Sequence, residues 1–154
     1  MSINKKTKVI FIANPNNPTG TYVNTKQFEG FLSSIPQEII VVYDEAYQEF
    51  VDKDDFPQGL KYCRRKNFIT LKTFSKIYGL AGLRVGYGVS NVAFIDALNR
   101  VRQPFNVNSL AQAAAVAALD DKEFLKRSLR TVFEGKRFLY RQLNAMNLDY
   151  VPSV

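Results

Sequence analysis

Histidine and tryptophan are absent from this 154-residue sequence, and cysteine occurs only once, at Cys63. Without histidine and with a single thiol, the sequence lacks the usual ligands of a zinc site. A lone cysteine cannot form an internal disulfide, so a reducing cytoplasm is the natural compartment. No run approaches the roughly 18 consecutive apolar residues of a membrane span, and the charged first residues do not resemble a signal peptide. We therefore expect a cytoplasmic protein without a metal site or a membrane segment.

Apolar and basic residues are what the sequence has in quantity. The hydrophobic fraction of 46% and the length of 154 residues fit one globular domain. The formal net charge is +7, but the basic residues lie in scattered groups, which is typical of a solvated surface. A positive surface also attracts anionic small molecules. A nucleic-acid-binding domain stays open as an alternative, although no recognised binding motif supports it, and we expect no nucleic-acid partner.

Hydrophobic periodicity predicts alternating strands and helices. Short apolar runs predict strands over residues 9–13, 39–43, 68–71 and 84–89, the first two of them buried on both faces. Helical spacing predicts helices over residues 25–35, 91–101, 109–119 and 122–147, with Asn24 or Thr25 as the first N-cap. The last helix carries an apolar stripe that we expect to be buried, formed by Leu125, Leu129, Val132, Leu139, Leu143 and Met146. The alternation predicts an α/β fold with a mostly parallel sheet.

Two polar segments directly follow predicted strands, where ligands bind in open α/β sheets. Residues 14–20 read Asn-Pro-Asn-Asn-Pro-Thr-Gly, which forces an irregular backbone, and the alternative interpretation is a purely structural turn. Residues 44–47 read Asp-Glu-Ala-Tyr. An acidic residue at the end of a buried strand is costly unless it is paired, so Asp44 should have a partner such as a cationic ring nitrogen. The alternative for Asp44 is a helix N-cap.

A third polar segment reads Thr-Phe-Ser-Lys at residues 73–76, followed by three glycines and Arg84. Hydroxyls, a lysine and an arginine among glycines suit a phosphate, because arginine offers a bidentate fork and glycine admits close approach. The alternatives are a surface lysine at Lys76 and an ordinary ion pair at Arg84.

Together and in this order, these segments resemble the fold-type I, class I and II aminotransferases, which use pyridoxal 5'-phosphate. Within them the chain is most similar to the histidinol-phosphate aminotransferases. The resemblance runs from about Val9 to the last residue, and its most specific part is Thr-Phe-Ser-Lys-Ile-Tyr-Gly-Leu-Ala-Gly-Leu-Arg-Val-Gly-Tyr at residues 73–87. The stretch Arg-Gln-Pro-Phe-Asn-Val-Asn-Ser-Leu-Ala-Gln at residues 102–112 is also similar to that branch.

The resemblance implies a role for each matching position. Lys76 would be the catalytic residue, binding the cofactor covalently and moving a proton at the substrate carbon. Asp44 would pair with the ring nitrogen. Asn17 and Tyr47 would hydrogen-bond the phenolic oxygen of the ring, and Thr73, Ser75 and Arg84 would bind the cofactor phosphate.

The resemblance also implies an incomplete enzyme. Residues 1–148 would form part of the pyridoxal-phosphate-binding large domain, and residues 149–154 would begin a truncated small domain toward which the long last helix leads. The implied reaction transfers an amino group between histidinol phosphate and 2-oxoglutarate, in an enzyme that is a homodimer at full length. Aromatic or broad-specificity aminotransferases, threonine-phosphate decarboxylase and a non-catalytic fragment are the alternatives. We expect little or no transaminase activity from this chain alone, and the isomer of the Asn17–Pro18 bond stays open.

Overall fold

The structure is a computed structural model that describes residues 3–154. Its strands are β1 (Val9–Ala13), β2 (Ile40–Asp44), β3 (Phe68–Thr73) and β4 (Gly86–Ser90). Its helices are α1 (Thr25–Ser34), α2 (Val92–Val101), α3 (Ser109–Asp120) and α4 (Lys122–Ala145). Short 3-10 helices span Gln48–Phe50, Gly59–Tyr62 and Ala81–Leu83. The predicted order of strands and helices is therefore confirmed, with small shifts at the ends.

The four strands form one sheet in the order β1-β2-β3-β4. Strands β1, β2 and β3 are parallel, whereas β4 pairs with β3 in the antiparallel direction. In the register, Ala13 lies opposite Asp44, and Asp44 lies opposite Leu71. The carboxyl ends of the three parallel strands therefore meet at one edge of the sheet, which is where the polar segments follow them.

Helix α1 covers one face of the sheet because its apolar residues recur at helical spacing. The buried side chains Phe28 and Leu32 of this helix pack with Tyr43 and Phe68 in the main core cluster. Asn24 caps the helix, since its side chain accepts from the backbone of Gln27 in a capping box. A second cluster consists of Phe74, Val85, Ala111 and Ala115.

Two predictions of burial are wrong. Strand β1 was expected to be buried on both faces, but it is an edge strand and Phe11 is 76% exposed. The apolar stripe of α4 was expected to be buried, but α4 has no buried residue, and Leu139 and Met146 are each 57% exposed. In both cases the pattern identifies an apolar face, but the described residues cover it only in part: in α4, Leu125, Leu129 and Leu143 are half-buried, and the 3-10 helix Gln48–Phe50 contacts the helix.

The predicted start of the fourth strand is also corrected. Arg84 adopts a left-handed backbone conformation (φ 53°) after the 3-10 helix Ala81–Leu83, and β4 begins only at Gly86. A residue in this conformation turns the chain instead of extending it, so Arg84 belongs to the turn before the strand. In residues 3–154, none of the helices combines the length and apolarity needed to cross a bilayer.

Candidate active site

A buried asparagine anchors the loop that follows β1. The Asn14 side-chain amide donates to the Val23 carbonyl (3.0 Å) and to the Tyr43 hydroxyl (2.8 Å), and its oxygen accepts from the Val23 backbone (2.8 Å). The Tyr43 hydroxyl in turn donates to the Pro57 carbonyl (2.8 Å). The Asn14–Pro15 and Asn17–Pro18 bonds are both cis. This network ties the loop to β2 and brings Asn17 to the sheet edge.

The end of β2 and the turn that follows it carry Asp44 and Tyr47, respectively. One Asp44 carboxylate oxygen accepts from the backbone of Ala46 (2.9 Å). Tyr47 accepts a hydrogen bond from the Asn17 side-chain amide at its hydroxyl (3.2 Å). This contact joins the loop after β1 to the turn after β2, two segments that are thirty residues apart in the sequence.

A cavity of about 320 Å³ lies at the carboxyl edge of the sheet. Four of the predicted site residues line it: Asn17, Asp44, Tyr47 and Lys76. The Lys76 ammonium lies 5.1 Å from the centre of the Tyr47 ring, in a cation–π arrangement. Among residues 3–154, neither Asp44 nor Lys76 forms a salt bridge. The cavity therefore presents an amine, a carboxylate, a phenol and an amide to whatever occupies it.

The three residues predicted to bind phosphate lie outside this set of lining residues. The Thr73 hydroxyl accepts from the backbone of Ser75 (3.1 Å), which closes the turn immediately before Lys76. Arg84 donates from its guanidinium to the Ala81 carbonyl (2.8 Å), one turn earlier in the chain. The structure thus gathers Asn17, Asp44, Tyr47 and Lys76 around one cavity, whereas Thr73 ends β3 and Ser75 and Arg84 lie in the turns that follow.

Sequence reasoning missed some lining residues and a buried ion pair. Ala13, Pro15 and Ala46 also line the cavity. Of these, only Ala46 could have been inferred from the sequence, because it lies within the Asp-Glu-Ala-Tyr motif. Glu45, the neighbour of Asp44, is only 1% exposed and pairs with Lys72 at 3.4 Å. Its burial could not be seen in the sequence, because an acidic residue in a polar motif is more commonly exposed.

Residues 2–154 match the profile of the family described as Aminotransferase class I and II. The chain belongs to this family. The chain is 52% identical to the histidinol-phosphate aminotransferase of Moorella thermoacetica, and the match covers 99% of this chain and 40% of that relative. The family resemblance inferred from the three motifs is therefore confirmed.

Solved structures place the chain in the same fold of this aminotransferase family. The histidinol-phosphate aminotransferase from Sinorhizobium meliloti, in complex with pyridoxal-5'-phosphate, aligns with a TM-score of 0.87 and 32% identity, over 94% of this chain and 40% of that one. The L-threonine-O-3-phosphate decarboxylase from Porphyromonas gingivalis aligns with a TM-score of 0.76 and 27% identity, over 92% of this chain and 42% of that one. The chain thus spans about two-fifths of the length of these relatives.

Proposed function

We propose that this chain carries the pyridoxal 5'-phosphate-binding half-site of a histidinol-phosphate transaminase. The observation that carries the proposal is the meeting of Lys76, Asp44, Tyr47 and Asn17 around one cavity. The similarity to histidinol-phosphate aminotransferases supports the choice of branch. Residues 1–148 would belong to the large domain and residues 149–154 would begin the small one.

The donor set fits this cofactor. A pyridoxal ring presents an aldehyde, a phenolic oxygen and a ring nitrogen, and the cavity offers an amine, a phenol with an amide, and a carboxylate. Ala46 adds a small side chain to the lining, which leaves room for a planar ring. Asp44 forms no salt bridge among the described residues, so its carboxylate is free to take a cationic partner from a ligand.

Each residue then has a defined task. Lys76 would hold the cofactor covalently through its ε-amine and, once displaced by the substrate amine, would move a proton as general base and acid. Asp44 would keep the ring nitrogen protonated. Asn17 and Tyr47 would orient the ring by hydrogen bonds to its phenolic oxygen, and Thr73, Ser75 and Arg84 would hold the phosphate. When bound, the cofactor supplies an electron-withdrawing ring that stabilises negative charge on the substrate carbon.

The proposed reaction transfers an amino group between histidinol phosphate and 2-oxoglutarate, in a homodimeric cytoplasmic enzyme of histidine biosynthesis. We further propose that the 154-residue chain alone turns over little or no substrate. Within the described residues no arginine lines the cavity, and Arg84 outside it is assigned to the cofactor phosphate. No arginine is thus placed in the cavity to bind a substrate carboxylate or phosphate by two parallel hydrogen bonds. A turnover rate in the ordinary enzyme range of roughly 1 to 1000 per second from the purified chain would contradict this.

Covalent labelling tests the half-site directly. The purified chain is mixed with pyridoxal phosphate, reduced with borohydride and mapped by peptide mass spectrometry. We expect the label to concentrate on Lys76 and to disappear from that peptide in Lys76→Ala. Lys61→Ala, which removes an exposed lysine that does not line the cavity, should leave the label unchanged. Labels spread over many lysines and unaffected by Lys76→Ala would mean that the half-site does not assemble.

A different pyridoxal-phosphate enzyme is the second candidate. The structural similarity to the threonine-phosphate decarboxylase favours it as the specific rival, because the same cavity residues could serve either reaction. Supplying the rest of the enzyme in trans and assaying amino transfer from histidinol phosphate against decarboxylation of threonine phosphate would separate the two.

A further inference from the structure

Between Asp44 at the end of β2 and Tyr47 in the following turn lies a buried carboxylate, Glu45, which bonds Gly59 and Thr70 and does not line the cavity. Glu45 is 1% exposed and does not line the cavity. One of its oxygens accepts from the Gly59 backbone (2.8 Å), and the other accepts from the Thr70 hydroxyl (2.9 Å). Both partners are themselves buried. A buried carboxylate is tolerated only when it is hydrogen-bonded and charge-compensated. Gly59 and Thr70 meet the first of these conditions for Glu45.

Lys72 supplies the compensating charge and connects both sides of the turn. Its ammonium lies 3.4 Å from Glu45 and 3.8 Å from Glu49, and its side chain is only 9% exposed. The two carboxylates flank Tyr47 in the sequence, two residues before it and two after it. One lysine on β3 therefore holds both ends of the short segment at whose centre Tyr47 lies.

Backbone hydrogen bonds fix the same segment to the same strand. The Glu45 amide donates to the Leu71 carbonyl (3.0 Å), and the Glu45 carbonyl accepts from Gln48 (3.1 Å) at the start of the 3-10 helix. Asp44 precedes this anchor directly and is held in turn by the Ala46 amide (2.9 Å). Main chain and side chain of Glu45 thus lock the turn from the interior, while Asp44 and Tyr47 face the cavity.

We propose that Glu45 is a positioning residue which, together with Lys72, fixes Asp44 and Tyr47 in the cavity. Glu45 does not line the cavity, so it acts only through its neighbours. The role at the cofactor rests on the proposed function, but the ordering of the turn does not. Glu45→Gln should leave the fold intact, since the amide oxygen can still accept from Gly59, but it leaves Lys72 without its closest counter-charge.

The first measurement is hydrogen exchange of the ligand-free chain, read by mass spectrometry on peptides that cover residues 44–51. In Glu45→Gln we expect exchange there to accelerate on the order of tenfold relative to peptides from β2 and β3. Adding Lys72→Met also removes the remaining pair with Glu49 (3.8 Å), so we expect exchange over residues 44–51 to accelerate further. Leu32→Ala is the control, because it weakens the main core cluster under α1. It should accelerate exchange in many peptides, and not more in residues 44–51 than in β2 and β3. Unchanged exchange in Glu45→Gln, or the same pattern as the control, overturns the proposal.

The second measurement is the affinity for pyridoxal phosphate and the induced circular dichroism of the bound cofactor, which reports ring orientation and not stability. We expect Glu45→Gln to bind on the order of tenfold more weakly with altered dichroism per bound cofactor, whereas Leu32→Ala matches the unmodified chain while folded. Normal affinity and dichroism in Glu45→Gln would overturn the role at the cofactor even if the turn loosens. If the unmodified chain binds no pyridoxal phosphate, the proposed function fails, and the exchange experiment still decides whether Glu45 orders the turn.

Discussion

Neighbouring residues at the carboxyl end of β2 have different surroundings. Asp44 and Tyr47 face the cavity, whereas Glu45 between them is buried against Thr70 and Gly59. Gly59 is required for that approach, because a Cβ there would lie 2.8 Å from a ring carbon of Tyr43. A four-residue motif therefore supplies both the candidate chemistry and the anchor that holds it.

The contact between Asn17 and Tyr47 gives a prediction at this scale. Tyr47→Phe removes the hydroxyl that accepts from the Asn17 amide (3.2 Å) and that would orient the cofactor ring. We expect affinity for pyridoxal phosphate to fall roughly two- to tenfold, as for the loss of one hydrogen bond. Fluorescence titration measures this. Tyr22→Phe is the control, since its hydroxyl bonds Asp55 outside the cavity. Equal affinities for Tyr47→Phe and the unmodified chain would count against the role of the hydroxyl.

Residue types predicted part of this site, and geometry decided the rest. Asn17, Asp44, Tyr47 and Lys76 lie at or after the carboxyl ends of three parallel strands, so the rule that ligands bind at these ends brings them together correctly. The partner of Tyr47 and the burial of its neighbour depend on packing between distant segments. No local pattern in a single sequence encodes such contacts.

At the scale of elements, α3 and α4 are joined by a single residue. Asp121 ends α3 and caps α4, accepting from the Phe124 backbone (2.9 Å). Because α4 has no buried residue, its stability depends more than usual on local terms such as this cap.

Asp121→Ala should therefore destabilise the chain by about 1 kcal/mol. The lost interactions are the hydrogen bond to Phe124 and the favourable position of a negative charge at the start of α4. Urea unfolding followed by circular dichroism measures the change in free energy. Asp120→Ala, the adjacent acid with the same loss of charge and without this capping bond, should cost clearly less. If the two variants are equally destabilised, the cap is not the cause.

The sequence predicts the positions of strands and helices better than it predicts strand direction and side-chain burial. The apolar runs and helical spacings gave all four strands and all four helices of the described residues to within a few positions. The antiparallel direction of β4 was not specified, because the apolar content of a strand does not report its direction. The exposure of Phe11 and of the α4 stripe was missed for a related reason: periodicity identifies an apolar face, but not what packs against it.

At the scale of the whole molecule, most of the buried apolar side chains of the described residues lie in two clusters. The main cluster is aromatic, with Phe28 4.5 Å from Tyr43 and 5.3 Å from Tyr62 between ring centres. Two of its rings, Tyr43 and Tyr62, carry hydroxyls, and each hydroxyl needs a hydrogen-bond partner. Tyr43 does so through Asn14 and Pro57, and Tyr62 through Glu29 (3.1 Å).

These hydroxyls make the stability of the whole chain sensitive to alkaline pH. Burial raises the pKa of Tyr43 far above its ordinary 10.0, and burial followed by the Glu29 hydrogen bond raises the pKa of Tyr62 to about 12. The folded chain then holds these protons more tightly than the unfolded chain does. Their contribution to stability is complete below pH 10 and is lost as the pH rises from 10.0 toward and beyond 12.

We therefore expect tyrosine ionisation to leave the urea midpoint unchanged below pH 10 and to lower it steeply as the pH rises above 10. Tyr62→Phe keeps the ring in the main cluster but removes one titrating hydroxyl, so its midpoint should fall less steeply over the same interval. Parallel urea titrations of both chains cancel the effect of lysine deprotonation, which they share. The Tyr62 hydroxyl is the only titrating group that differs between the two chains. If their midpoints fall with equal slopes above pH 10, this hydroxyl has the same pKa in the folded and unfolded chains, and the prediction is wrong.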